Sequence, residues 1–237
     1  MLACVARCIR FFRKFNVPYS AILLSVLFVS LHYSNNNSKL KQEFALEIPV
    51  DHTTSWWKFF TPALVHGDEL HLWSNTFILL SAGVILELIQ GTLATFSIFC
   101  IGSTTGILLF TAFYNTSNIR LFGASAGCYA IVAAYLSYLL MNWKETPLKL
   151  IWLLSFLAII GLEIYVMVQD AQVLPGETNV AYLAHIGGFI QGLLVGLFTV
   201  KNYKVLCWEV IVMIIAFITA SIFVISLSLQ IGSSVSG

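Results

Sequence analysis

The stretch LFGASAGCYAIVAAYLSYLLMNW, residues 121–143, runs for 23 residues without a charge. A helix needs about 20 mostly apolar residues to cross the hydrocarbon core of a bilayer. The apolar run 125–143 meets that length, yet it opens on a serine set among small residues, Gly123-Ala124-Ser125-Ala126-Gly127. A membrane helix with a hydroxyl at its mouth is the feature from which the rest of the chain is read.

Six other stretches have the same character: 16–33, 71–90, 93–114, 149–168, 180–200 and 206–229. Together the seven predict an all-α polytopic membrane protein. Composition agrees: 59% of residues are hydrophobic and 10% charged, where soluble domains carry about a quarter charged residues. The domain reading is a basic N-terminus over 1–15, a six-helix core over 16–200 with a long first loop at 34–70, and a linker with a seventh helix over 201–237. The net charge of +1 excludes a nucleic-acid binder, which needs clustered positive charge. Five scattered cysteines without a CxxC or a Cys/His cluster point to neither a disulfide framework nor a metal site. No cofactor is expected. Cys4 and Cys8, among basic residues beside the first span, form a palmitoylation context.

Lysine and arginine set the orientation. An N-terminus in the cytoplasm places Arg7, Arg10, Arg13, Lys14, Lys144, Lys149, Lys201 and Lys204 on that side. Lys39, Lys41, Lys58 and Arg120 then lie outside, as do the sequons Asn36-Asn37-Ser38 and Asn115-Thr116-Ser117. The first acid is Glu43, as in a mitochondrial presequence, but the short basic stretch runs straight into the first span. A signal anchor is the preferred reading.

Polar residues inside spans cost free energy and usually mark function. Span two opens on His71-Leu72-Trp73-Ser74-Asn75, span four holds Ser125, and span six holds Ala184-His185-Ile186-Gly187-Gly188. Even-numbered spans all enter from the same face, so His71, Asn75, Ser125 and His185 share one depth. Serine needs a neighbouring base to become a nucleophile, and histidine titrates near working pH. His71 and Asn75, four apart, project from one helix face and can both donate to a developing oxyanion, as can the Ser125 amide at a helix start. Gly188, Gly192 and Gly196 repeat every fourth residue, a spacing that lets helices touch closely. Singly, each of these residues is compatible with plain helix packing. Their shared depth is what makes a site of them.

At these residues the chain resembles the rhomboid family of intramembrane serine proteases. Gly123-Ala124-Ser125-Ala126 is similar to its GxSx nucleophile motif, and Ala184 to Gly192 to its AHxxGxxxG motif. His66 to Asn75 is similar to its HxxxxHxxxN signature, Trp57-Lys58 to the Trp-Arg motif of its first loop, and Glu87 to an acid near the end of span two. The resemblance covers about 55–200. It implies a Ser125–His185 dyad without an aspartate, and an oxyanion hole of His71, Asn75 and the Ser125 amide. Tyr129 would pack on the base, and His66 and Trp57 would shape the first loop. Lys58 departs from the usual arginine and loses its planar fork. Ala126 stands where glycine is common.

The seventh helix resembles the eukaryotic secretory-pathway members, which implies a Golgi, endosomal or plasma membrane rather than the mitochondrial inner membrane. The implied substrates are single-span membrane proteins, cut at or near the outer leaflet to release an ectodomain. The alternative is a catalytically inactive relative that binds clients for trafficking or degradation. Ser55 to Phe60 would lie in the lipid interface. The 169–179 loop would cap His185, and span five, with Glu163, would border substrate entry. A seven-helix receptor is disfavoured by the charge pattern. A transporter is disfavoured by the lack of internal repeats, and a zinc protease by the lack of an HExxH.

Overall fold

The computed structural model describes residues 17–115, 118–146, 149–171 and 182–236. All seven apolar stretches are helical. They are α1 (Tyr19–His32), α3 (Glu69–Gln90), α4 (Thr92–Tyr114), α5 (Ser125–Met141), α6 (Lys149–Ala171), α7 (Tyr182–Thr199) and α8 (Cys207–Ser236). A short helix, α2 (Asn37–Phe44), lies in the first loop. Among the described residues α3, α4, α7 and α8 are long and apolar enough to cross a bilayer by themselves. The chain is a multi-pass membrane protein. The basic segment 1–15, with Cys4 and Cys8, most of the 169–179 loop, and the side chain of Glu163 lie outside the described residues.

Local chemistry sets the helix ends. Asp68 caps α3, its carboxylate accepting the His71 N–H at 2.8 Å, which satisfies one of the orphan donors of the first turn. The turn from α3 to α4 is made at Gly91, with φ of +92°, a conformation other residues adopt only with strain. Midway along α3 a π-helical turn, Leu79–Gly83, interrupts the regular ladder. Nothing in the sequence announces it.

Glu87 is fully buried near the end of α3. Its carboxylate accepts from Ser20 N (2.8 Å), Ser20 Oγ (2.7 Å) and Ala21 N (2.8 Å). It therefore caps α1 from another helix and fixes the two together. Glu87→Ala strands these buried donors, and hydrogen bonds to a charged group are each worth about 1.5–3 kcal/mol. The expected loss is about 2–4 kcal/mol in total, read as a lowered unfolding midpoint in detergent. An unchanged midpoint would refute the cap.

The core centres on α5, which is buried along nearly its whole length. Small residues let its neighbours approach. A Cβ at Gly188, Gly192 or Gly196 of α7 would overlap the backbone of Ala126, Ala130 or Ala134. A Cβ at Gly102 of α4 would overlap the Ala130 methyl, and one at Gly106 the Ala126 methyl and the Ala184 carbonyl. The four-residue repeat thus brings α7 against α5, and α4 closes the third side. Ser137 Oγ adds a hydrogen bond across the interface to Leu193 O at 2.8 Å. At the far end Asn142, fully buried, donates to Lys201 O (2.9 Å) and accepts from Tyr203 N (2.9 Å), which holds the linker into α8.

The architecture is helical, with one addition that the sequence reading lacks. β1 (Leu46–Ile48) of the first loop pairs antiparallel with β2 (Ile119–Leu121), with Glu47 opposite Arg120. Leu46, Ile48 and Leu121 face the core, while Glu47 and Arg120 form an exposed ion pair at 2.7 Å. Such a pair contributes under about 1 kcal/mol, so burial of the alternate apolar residues holds the ribbon. β2 leads through Phe122 directly into the serine.

Candidate active site

Ser125 is the first residue of α5, half-buried, so its N–H is one of the unpaired donors of a helix start. His185 lies in the first turn of the described part of α7. Its Nε2 stands 2.7 Å from Ser125 Oγ, the separation of a good hydrogen bond. With the proton on Nδ1, Nε2 accepts from the hydroxyl, as a general base must.

Aromatic rings hold the histidine. Tyr129, one turn along α5 from Ser125, stacks on it at 4.5 Å with planes 21° apart. Tyr182 meets it edge-on at 6.1 Å. Among the described residues no carboxylate hydrogen-bonds His185. The two rings fix its orientation on the described side.

Gly123 has φ of +120°, and a Cβ there would strike Cε1 and Nε2 of His71. Glycine is required twice at this position: for the backbone conformation and for the space the His71 ring fills beside the serine. The Gly123 N–H donates to Pro62 O at 2.8 Å, which ties the first loop to the turn before Ser125. His66 packs edge-on against His71 at 5.4 Å and at a tilt against Phe28 at 5.1 Å. Burial, reinforced by the neighbouring His71, His32 and Lys41, pushes the His66 pKa down to about 3. Its ring is neutral at physiological pH and serves as packing for His71.

Asn75, one turn beyond His71 on α3, is almost fully buried. Its Nδ2 has no hydrogen-bond partner in the protein. Other buried groups among the described residues share that state, both His66 ring nitrogens included, so what sets this donor apart is its place beside α5. Its main-chain carbonyl accepts from Cys128 Sγ at 3.5 Å, which places it against the first turn of α5.

Seven of the eight residues singled out in the sequence therefore gather at one end of α3, α5 and α7: Ser125, His185, His71, Asn75, Gly123, Tyr129 and His66. Trp57 does not join them. It lies in a short 3-10 turn, Trp56–Phe59, half-exposed and edge-on to Trp56. Three contacts escape the sequence altogether: Cys128 on Asn75, Pro62 on Gly123, and Lys41 Nζ on Gly67 O at 2.7 Å. Each joins segments with no shared local pattern, so no signal in the sequence marks them.

Comparison with known proteins gives the family. The Rhomboid domain family matches residues 53–202. The chain is 32% identical over 146 residues to Rhomboid-related protein 1 of Caenorhabditis elegans, covering 62% of this chain and 40% of that one. It is 33% identical over 140 residues to RHOMBOID-like protein 6, mitochondrial, of Arabidopsis thaliana, covering 59% and 42%. It is 28% identical over 145 residues to Rhomboid-like protease 5 of Toxoplasma gondii, covering 61% and 16%. The chain matches at most about two fifths of the length of these relatives.

Proposed function

Since the chain belongs to the rhomboid family, we propose that it is an intramembrane serine protease that cuts single-span membrane proteins with a Ser125–His185 dyad. The observation that carries this reading is the 2.7 Å contact between Nε2 and Oγ, made by residues 60 positions apart on two helices. A client-binding relative without activity has no use for that contact.

The residues divide the chemistry as follows. Ser125 Oγ attacks the scissile carbonyl carbon as its proton passes to His185 Nε2. The carbonyl oxygen becomes an oxyanion and accepts from Asn75 Nδ2, the His71 ring and the Ser125 N–H. Collapse breaks the C–N bond, and the leaving amine takes the proton from His185. Water then attacks the acyl-serine and gives its proton to His185; the C–Oγ ester bond breaks, Ser125 Oγ takes that proton back, and the new carboxyl end departs. Preorganised donors in a water-poor site need no reorganisation as charge develops. Asn75→Ala should lower kcat by about 10²–10³, the usual cost of one oxyanion donor, with little change in KM. A fall below threefold would remove Asn75 from the site.

Substrate reaches the dyad from the bilayer beside α6. That helix packs lightly on α5, through Tyr135–Trp152. A groove of about 230 Å³ between α3, α5 and α6, bounded by Ala82, Ile85, Tyr135, Trp152 and Phe156, opens about two to three helical turns along α5 from Ser125. The positive-inside pattern supports a cytoplasmic N-terminus and so a dyad near the outer leaflet, and the seventh helix supports a membrane of the secretory pathway. Co-expression with a tagged single-span substrate tests the reading. Wild type should release the ectodomain and Ser125→Ala should not. A client-binding protein would relocate the substrate uncut.

A further inference from the structure

We infer that the C-terminal helix α8 is a positioning element of the dyad, joined to it through a tie at Asn115. The inference rests on the protease reading above. Its basis is one stripe of α8: Leu227, Gln230, Ile231 and Ser234. These positions are spaced three and four apart, so they lie on one helix face. Leu227 and Ile231 are buried, whereas Ile222 and Ile225 are exposed. Polar and apolar members of the stripe each connect to the site by their own route.

The apolar route runs through the core. Leu227 and Ile231 belong to the same buried cluster as Ile107 and Leu109 of α4, Ala126 and Ala184. Ala126 follows the nucleophile and Ala184 precedes the base. Gly106 of α4 wedges between them, since a Cβ there would strike both the Ala184 carbonyl and the Ala126 methyl. α8 backs α4 at this level, and so it supports the wedge that sets the spacing of α5 and α7.

The polar route runs through the ribbon. Gln230 Nε2 donates to Ala112 O at 3.2 Å. Asn115, at the end of α4, donates from Nδ2 to Ser234 Oγ at 3.4 Å. The same side chain accepts the Val50 N–H on Oδ1 at 2.7 Å and faces Val50 O at 3.5 Å. Val50 lies just beyond β1, β1 pairs with β2, and β2 runs through Gly123 into Ser125. Asn115 therefore joins α8 to the strand that carries the nucleophile. A span serving only as an anchor would need neither polar ties nor a share of the cluster around the dyad. The sequon at Asn115 acquires a different meaning as well: Nδ2, the atom a glycan would occupy, is engaged by Ser234 Oγ.

The test uses the full chain in proteoliposomes with a single-span substrate, assayed well below the unfolding midpoint of every variant. Asn115→Ala should lower kcat about tenfold with KM within about twofold of wild type. Asn115→Asp keeps the acceptor for Val50 but loses the Nδ2 donor to Ser234, and should match Ser234→Ala below. Ser234→Ala removes one hydroxyl from a helix end, folds in any case, and should lower kcat about twofold. Leu227→Ala with Ile231→Ala should match Asn115→Ala, whereas Ile222→Ala with Ile225→Ala should equal wild type. If wild type cleaves and both Ser234→Ala and the Leu227/Ile231 pair keep its kcat, α8 is an anchor and the inference falls, whatever Asn115→Ala does. A glycan on Asn115 would overturn it too. An inactive wild type would sink the protease reading itself.

Discussion

Ser125→Ala and His185→Ala should each lower kcat by about 10⁴-fold or more, to the background of substrate hydrolysis, and the double variant should be no worse than either. Residues that act as one unit are strongly non-additive, because removing either partner already abolishes the covalent route. The 2.7 Å contact makes Ser125 and His185 such a unit. Both side chains are half-buried at helix starts, so neither alanine should move the unfolding midpoint by more than a degree or two. Kinetics in proteoliposomes alongside thermal unfolding would check both halves. Losses that multiply in the double variant would mean that the two residues act separately.

The second large effect is steric. Gly188→Val should lower kcat by at least about 10² and destabilise the protein by about 1–3 kcal/mol, the common cost of overpacking. A Cβ at Gly188 would overlap the carbonyl, Cα and C atoms of Ala126. These are backbone atoms, which cannot swing aside as a side chain end would. α7 must back away from α5 and carry His185 with it, and a misplacement of about 1 Å at a reacting group costs about 10² in rate. Gly232→Ala on α8 is the matched control, because a Cβ there meets open space. Gly232→Ala should retain wild-type turnover. Equal activity in Gly188→Val would mean that this interface does not set the dyad.

Much of this site is legible in the sequence, for reasons that particular residues make plain. Ser125 and His185 stand out because hydroxyl and imidazole are costly in apolar helices. Gly188, Gly192 and Gly196 announce a close helix contact by their spacing alone, and α5 is the helix they touch. Helix parity puts His71 and Asn75 at the same depth as the serine. The pairings themselves have no local signature. Glu87 is conspicuous as a buried acid, but only the fold shows that it caps α1 across 66 residues. β1 and β2 are three residues each, too short for alternation to be distinguished within an irregular loop. Asn115 reads as a sequon because Asn-Thr-Ser is a local pattern, while its bonds to Val50 and Ser234 join it to segments 65 and 119 positions away.

The central claim is that Ser125 is a nucleophile made reactive by His185. Covalent labelling tests it most directly. Purified wild type in lipid is treated with a fluorophosphonate, and the adduct is located by peptide mass spectrometry. The account predicts a single adduct on Ser125, formed at least about 10³-fold more slowly in His185→Ala, since the serine hydroxyl is a weak nucleophile without its base. A folded wild type whose Ser125 stays unmodified, or labels equally fast without His185, would contradict it.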